Sequence, residues 1–308
     1  MPQKIIGENK IGSFSERLSS TKKQEAYKVS FVAPDAKILV VDDNEMNLLV
    51  ATSLLKATKI QVDTAISGMS ALKKMAETHY DIIFLDQMMP SLDGIQTFKM
   101  AQEMQENKSR GVPTVALTAN AISGAREMFL KEGFTDYLSK PINARQFEEM
   151  LVEYLPLEKI HSPENNSEAK IETKESKEEN YKYLNVELGL DYSAEMEDVY
   201  KSILEMFCNL KNEKQKQLNE TFENEDWQNY TILIHALKST SLQIGGEKCS
   251  ESAKNLEIAG KMIISDSSSE LEKHESIEYI QIHHGECMKL YDQLVEEGKR
   301  YLETNDDK

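Results

Sequence analysis

The stretch Ile38-Leu39-Val40-Val41-Asp42-Asp43 decides the fold: four apolar residues run straight into two adjacent carboxylates. An unbroken apolar run of this length, bounded by polar residues, reads as a strand buried on both faces, the kind found in parallel sheets. Related patterns follow. Ile82-Ile83-Phe84-Leu85 ends in Asp86, Val115-Ala116-Leu117 ends in Thr118, and a last short segment ends at Lys140-Pro141. In a parallel α/β sheet the carboxyl ends of the strands share one edge, where ligands bind. Three carboxylates, a hydroxyl and an ammonium on that edge describe a divalent-metal site beside an acceptor for a phosphoryl group.

Outward from this core, residues 36–156 alternate apolar runs with helical patterns, which predicts a βα repeat and a parallel sheet. Strands are expected near 37–42, 60–66, 81–86, 113–118 and 136–139. Helices are expected near 45–57, 69–78, 95–106, 121–132 and 143–155. Right-handed crossovers place helices on both faces, giving a doubly wound, five-stranded α/β domain of flavodoxin-like form.

The rest of the chain differs in character. Residues 1–35 carry Lys, Ser, Gln and Glu without sustained periodicity and read as a leader or interdomain tail, with one candidate strand at Tyr27–Val32. Residues 157–185 are rich in Glu and Lys and poor in apolar positions, the composition of a charged linker. From 186 to 303 the strand signal is gone. Val199, Ile203, Phe207 and Leu210 repeat at helical spacing. So do Tyr230, Ile234, Leu237, Ser241 and Ile244, then Cys249, Ala253, Leu256 and Gly260, and finally Ile280, Cys287, Tyr291, Leu294 and Tyr301. Amphipathic helices with short connections imply an all-α antiparallel bundle, with a loop expected at 265–275 and a tail at 304–308.

With 308 residues the chain has length for two cores. A formal charge of −17 and no basic stripe argue against nucleic acid as a partner, because phosphate neutralisation needs clustered Lys and Arg. Cys208, Cys249 and Cys287 are odd in number and widely spaced, which fits reduced thiols better than a disulfide framework or a zinc site. No apolar run approaches about 18 residues and no signal-peptide core opens the chain, so no membrane span and a cytoplasmic location are expected.

The set Asp42, Asp43, Asp86, Thr118, Lys140 and Pro141 resembles the receiver domain of two-component response regulators over residues 36–156. The resemblance implies that Asp86 is the phosphoacceptor. It also implies that Asp42, Asp43, Asp86 and the Met88 carbonyl serve one Mg2+ ion, Asp42 mainly through a water. Lys140 would pair with Asp86 and then with the phosphoryl oxygens, Thr118 would donate its hydroxyl to one of them, and Tyr137 would be the aromatic switch that follows. Pro90 and Gly94 match the family's loop, the Lys140-Pro141 bond is expected to be cis, and Met88 and Asn120 would set the lifetime of the acyl phosphate.

A second site lies on the helix near 227–244. At about 100° per residue, His235 falls roughly 140° from the core face, so an exposed imidazole is expected, flanked by Ile232, Ser239 and Leu242. A neutral imidazole nitrogen can attack an aspartyl phosphate, and its ordinary pKa of about 6.5 leaves it largely unprotonated at pH 7. The stretch His235–Gly246, extended by Ala253, Leu256, Glu257 and Ala259, resembles the histidine phosphotransfer (HPt) motif. That resemblance implies a phosphotransfer role for His235, charge shielding by Lys238, and orientation of the imidazole by Gln243. Ser239 departs from it, standing where the family usually has Gly; its side chain either crowds docking or bonds the phosphoryl group.

A receiver followed by an HPt bundle resembles the C-terminal half of a hybrid sensor histidine kinase. The expected function is a Mg2+-dependent phosphorelay through Asp86 and His235, with a histidine kinase and another receiver as partners. This segment has no Gly-rich ATP region, so self-phosphorylation from ATP is not expected. The alternatives are a phosphorylation-switched interaction module and a phosphate sink. His283-His284 lie about 100° apart around their helix and read as solvated or packed residues rather than metal ligands.

Overall fold

The structure is a computed structural model that describes residues 30–119, 125–163 and 181–306. The leader at 1–29, Asn120, the start of the helix expected at 121–132, the linker at 164–180 and residues 307–308 lie outside the described residues.

Five strands, β1 (Lys37–Val41), β2 (Gln61–Ala65), β3 (Ile82–Asp86), β4 (Thr114–Thr118) and β5 (Asp136–Ser139), form a parallel sheet in the order β2-β1-β3-β4-β5. The period-two alternation of strand side chains divides each apolar run between two cores. Ile38, Val40, Ile82, Phe84, Val115 and Leu117 face one side, and Leu39, Val41, Ile83, Leu85 and Ala116 face the other. Helices α1 (Glu45–Leu55) and α5 (Ala144–Tyr154) cover the first face. Helices α2 (Gly68–Glu77), α3 (Gly94–Glu103) and α4 (Ala125–Glu132) cover the second. Side-chain caps start the helices: Asn44, Ser67, Asp93 and Asn143 each accept a backbone N–H of the first turn. This is a flavodoxin-like, doubly wound architecture.

The segments flanking this domain are built into it. Phe31 and Ala33 are buried in the α1/α5 core, and Val32 pairs antiparallel with His161 through two 2.9 Å bonds. Lys159 closes a 2.7 Å ion pair onto Asp81. Residues 30–35 and 157–163 thus clasp each other, although the longer polar segments they belong to read as leader and linker.

After residue 181 the structure is helical: α6 (Val186–Tyr192), α7 (Glu197–Glu223), α8 (Trp227–Gln243), α9 (Glu247–Ile264) and α10 (Glu270–Asp306). Helix α7 packs on α8, α8 on α9, α9 on α10 and α10 on α7, a closed ring joined by short connections that reverse the chain. Gly245 makes the α8–α9 turn with φ at +89°, where a Cβ would also collide with the Asn185 carbonyl. The loop expected at 265–275 is shorter, because Ser269 and Glu272 form a capping box that starts α10 at Glu270. The three cysteines are buried and free. Among the described residues no helix is long and apolar enough to cross a membrane. The bundle abuts the receiver: α7 packs against α1, and the apolar cluster on that face of the sheet continues into the bundle core.

Candidate functional site

Asp86 and Thr118 are the last residues of β3 and β4, Asp42 and Asp43 follow β1, and Lys140 follows β5. Strand register therefore brings the sequence-predicted residues to one edge. The carboxylates of Asp42, Asp43 and Asp86 each offer an oxygen within 4.8 Å of the others. Lys140 Nζ lies 2.6 Å from Asp42 Oδ2 and 2.8 Å from Asp86 Oδ1, with its side chain 4% exposed. The Lys140-Pro141 bond is cis.

The charges do not balance. Burial, with the charges of Asp42 and Asp43, pushes the Asp86 carboxyl up to about 8 against the pull of Lys140. Burial and Asp42 push Asp43 up to about 6. Burial alone would lower the Lys140 ammonium, but the two carboxylates it bridges override this and raise it. An all-oxygen set with surplus negative charge fits a hard divalent cation such as Mg2+.

Neighbours invisible to the motif complete the pocket. Asn47 Nδ2 donates to both oxygens of Asp42, at 3.0 and 3.1 Å, and the Asn44 N–H adds a 3.0 Å bond. The Thr118 hydroxyl donates to Gln87 Oε1 at 2.8 Å. The Met88 N–H lies 3.4 Å from Asp86 Oδ1. Tyr137 is half-buried, its ring near-parallel to Phe129 at 6.4 Å. Pro90 is exposed, and Gly94 sits where a Cβ would lie 2.2 Å from the Asp86 carbonyl oxygen.

The second site departs from expectation. His235 is 6% exposed rather than solvated. The helical wheel places it correctly off the core face of α8, but a wheel cannot register what packs against that face. Its Nδ1 is 2.7 Å from Glu257 Oε1 on α9. Glu257 also takes Lys238 and Lys261 at 2.5 Å each. Burial raises the Glu257 carboxyl, yet the bond from His235 and the two ammonium groups outweigh it and hold the group far below its usual range. Gln243 does not orient the imidazole; its Nε2 donates to the Tyr192 carbonyl at 3.3 Å. That place is taken by Glu257, which the sequence shows as one residue of the motif stretch without its contact to the imidazole. The available signal was its place in the buried stripe, one turn from both Ala253 and Gly260.

Because a carboxylate accepts, Glu257 favours the tautomer with the proton on Nδ1 and leaves the Nε2 lone pair open. Nε2 is buried with no hydrogen-bond partner among the described residues, and so is the Ser239 hydroxyl one turn along α8. Burial lowers the His235 pKa against the pull of Glu257, with the Lys238 and Lys140 charges adding to the decrease. Lys140 acts on Lys238 as well, and Lys214 of α7 acts on Asp43. His284 is packed rather than metal-binding: it bonds Tyr230 and Asn219 and stacks on Phe222 at 4.2 Å.

Residues 38–152 match the family described as the response regulator receiver domain, and this segment is a receiver domain of two-component signalling. Among curated proteins, the signal transduction histidine-protein kinase BarA of Shigella flexneri is 29% identical over 204 residues, covering 65% of this chain and 21% of BarA. Hybrid signal transduction histidine kinase L of Dictyostelium discoideum is 36% identical over 124 residues, covering 38% of this chain and 7% of that kinase. The chain thus spans about a fifth or less of these relatives. Among solved structures, the receiver domain of the sensor histidine kinase PA1611 from Pseudomonas aeruginosa PAO1, which has a magnesium ion coordinated in its active site cleft, is 32% identical. That match covers 39% of this chain and 96% of the solved one, with a TM-score of 0.35.

Proposed function

We propose that this chain is a phosphorelay protein in which Asp86 accepts a phosphoryl group from a histidine kinase and His235 exchanges it as an HPt histidine. Asp42, Asp43, Asp86 and the Met88 carbonyl would hold Mg2+, which when bound neutralises charge on the phosphoryl oxygens. Lys140 supplies the fixed positive charge beside Asp86. The Thr118 hydroxyl would exchange Gln87 for a phosphoryl oxygen, drawing its loop inward, and Tyr137 would follow. Lys238 would shield the charge on the phosphorylated imidazole.

The observation that carries this reading is the buried imidazole itself, with Nδ1 tied to Glu257 and Nε2 without a partner among the described residues, on a bundle that follows a receiver. The BarA alignment supports it, since it is longer than the receiver match and so extends outside that segment. The test is a labelling time course with a small acyl phosphodonor, with and without Mg2+, on wild type, Asp86→Ala and His235→Gln. Wild type should carry a base-labile acyl phosphate and an acid-labile phosphohistidine, His235→Gln only the former. Stoichiometric Mg2+-dependent labelling of the receiver in Asp86→Ala would overturn the assignment, and so would wild type without phosphohistidine.

A further inference from the structure

We infer that the His235 face of the bundle is docked on the carboxylate pocket of its own receiver, so that phosphoryl exchange between Asp86 and His235 runs within one molecule. The inference rests on the relay reading above and names the partner of the bundle's histidine: the receiver of the same chain, rather than that of a second protein.

Three observations converge on it. Helix α7 of the bundle packs against α1 of the receiver, and one apolar cluster runs through both domains without a break. The α8 face expected to stand in solvent is covered: His235 and Ser239 are buried, and their Nε2 and Oγ atoms have no partner among the described residues. Leaving two buried polar atoms in that state is unfavourable, a cost that a phosphoryl group with its acceptor oxygens would offset. Finally, the charges face one another across the junction. Lys140, which bridges Asp42 and Asp86, is near enough to act on both His235 and Lys238, and Lys214 of α7 acts on Asp43. The bundle presents ammonium groups to a pocket with surplus negative charge.

The step balances without a further reactant. The Nε2 lone pair of neutral His235 forms the bond to phosphorus. The bond between phosphorus and the Asp86 oxygen breaks, and its electron pair stays on the carboxylate. The proton on Nδ1 does not move; the positive charge that develops on the ring lies against Glu257. The reverse step returns the phosphoryl group to Asp86 by the same path.

The experiment uses the full chain and an acyl phosphodonor with Mg2+. Phosphohistidine is read by acid lability in four samples: wild type over a dilution series, Asp86→Asn alone, His235→Gln alone, and their equimolar mixture. In the mixture the phosphoryl group must pass between molecules. A covalently joined partner has an effective concentration of roughly millimolar. With chains at about 1 µM the wild type should therefore form phosphohistidine on the order of 100-fold faster than the mixture, at a first-order rate independent of dilution. A mixture as fast as wild type, or a wild-type rate that falls in proportion to dilution, overturns the cis arrangement and leaves the relay intact with a second molecule as partner. No phosphohistidine in any sample removes the relay reading itself. The dilution series needs no variant, so a substitution that fails to fold leaves the test standing.

Discussion

Glu257 holds the Nδ1 edge of His235 at 2.7 Å, while the Nε2 edge of the same ring has no partner among the described residues. One carboxylate thus favours one tautomer, sets the ring orientation and leaves the proposed reactive edge open. It is itself pinned by Lys238 and Lys261, so the ring is held by a buried network and not by a single bond.

Replacing Glu257 should therefore damage transfer more than acceptance. A hydrogen bond to a charged group is worth about 1.5–3 kcal/mol, so Glu257→Ala should slow phosphohistidine formation by roughly 10- to 100-fold. Acyl phosphate on Asp86 should form at the wild-type rate. Glu257→Gln, which keeps an acceptor oxygen, should recover part of the loss. Equal slowing of both labels would assign Glu257 to folding instead.

Ser239 gives a separable pair of effects. Its hydroxyl is buried without a partner among the described residues, so Ser239→Ala should raise stability by about 1 kcal/mol by removing an unsatisfied group. If the hydroxyl serves the phosphoryl group, the same substitution should slow transfer by about tenfold, a loss of one neutral hydrogen bond. Denaturant midpoints and phosphohistidine rates on one variant decide it. Stability gained with the rate unchanged would mean that the hydroxyl is idle.

The receiver was legible because its chemistry stands at strand ends, where each apolar run stops on a functional residue. All five strands fall within one residue of the boundaries that the runs imply. What escaped lies beside those residues. Asn47 and Gln87 act on Asp42 and Thr118 from positions that carry no periodic signal. The exposure expected for His235 failed because amphipathicity describes one helix and not the surface that covers it. The role of Glu257, though the residue stands in the motif stretch, escaped for the opposite reason: a carboxylate in an apolar stripe looks like an interruption until an imidazole and two ammonium groups converge on it. The capping box at Ser269 and Glu272 was readable, but the Ser-rich context hid it.

His284 gives the bundle a pH dependence of known sign. Burial lowers its pKa to about 4, whereas an unfolded histidine titrates near 6.5. Between these values the unfolded chain binds the extra proton, so stability is full above about pH 6.5 and declines as pH falls to about 4. Discounted for partial solvent screening, the loss should be about 2 kcal/mol. Urea denaturation at pH 7 and pH 5, on wild type and His284→Gln, should show a smaller difference in the variant. An identical difference in both would place the titration elsewhere.

Gly94 ties the start of α3 to Asp86, the proposed phosphoacceptor. Its N–H donates to the Gln87 carbonyl at 3.0 Å, and a Cβ there would stand 2.2 Å from the Asp86 carbonyl oxygen. The atoms it would meet, the Asp86 carbonyl oxygen and carbon and the Gln87 Cα, are all backbone, so no side chain can swing aside; either α3 retreats or the turn after β3 moves. Overpacking of this kind costs about 1–3 kcal/mol. The turn carries Asp86, Gln87 and Met88 together, so Gly94→Ala should also displace the acceptor from Lys140 and slow acyl phosphate formation. Thermal melts combined with acceptor labelling at a temperature well below the midpoint separate the two effects. A folded variant labelled at the wild-type rate would show that α3 retreats and leaves the pocket untouched.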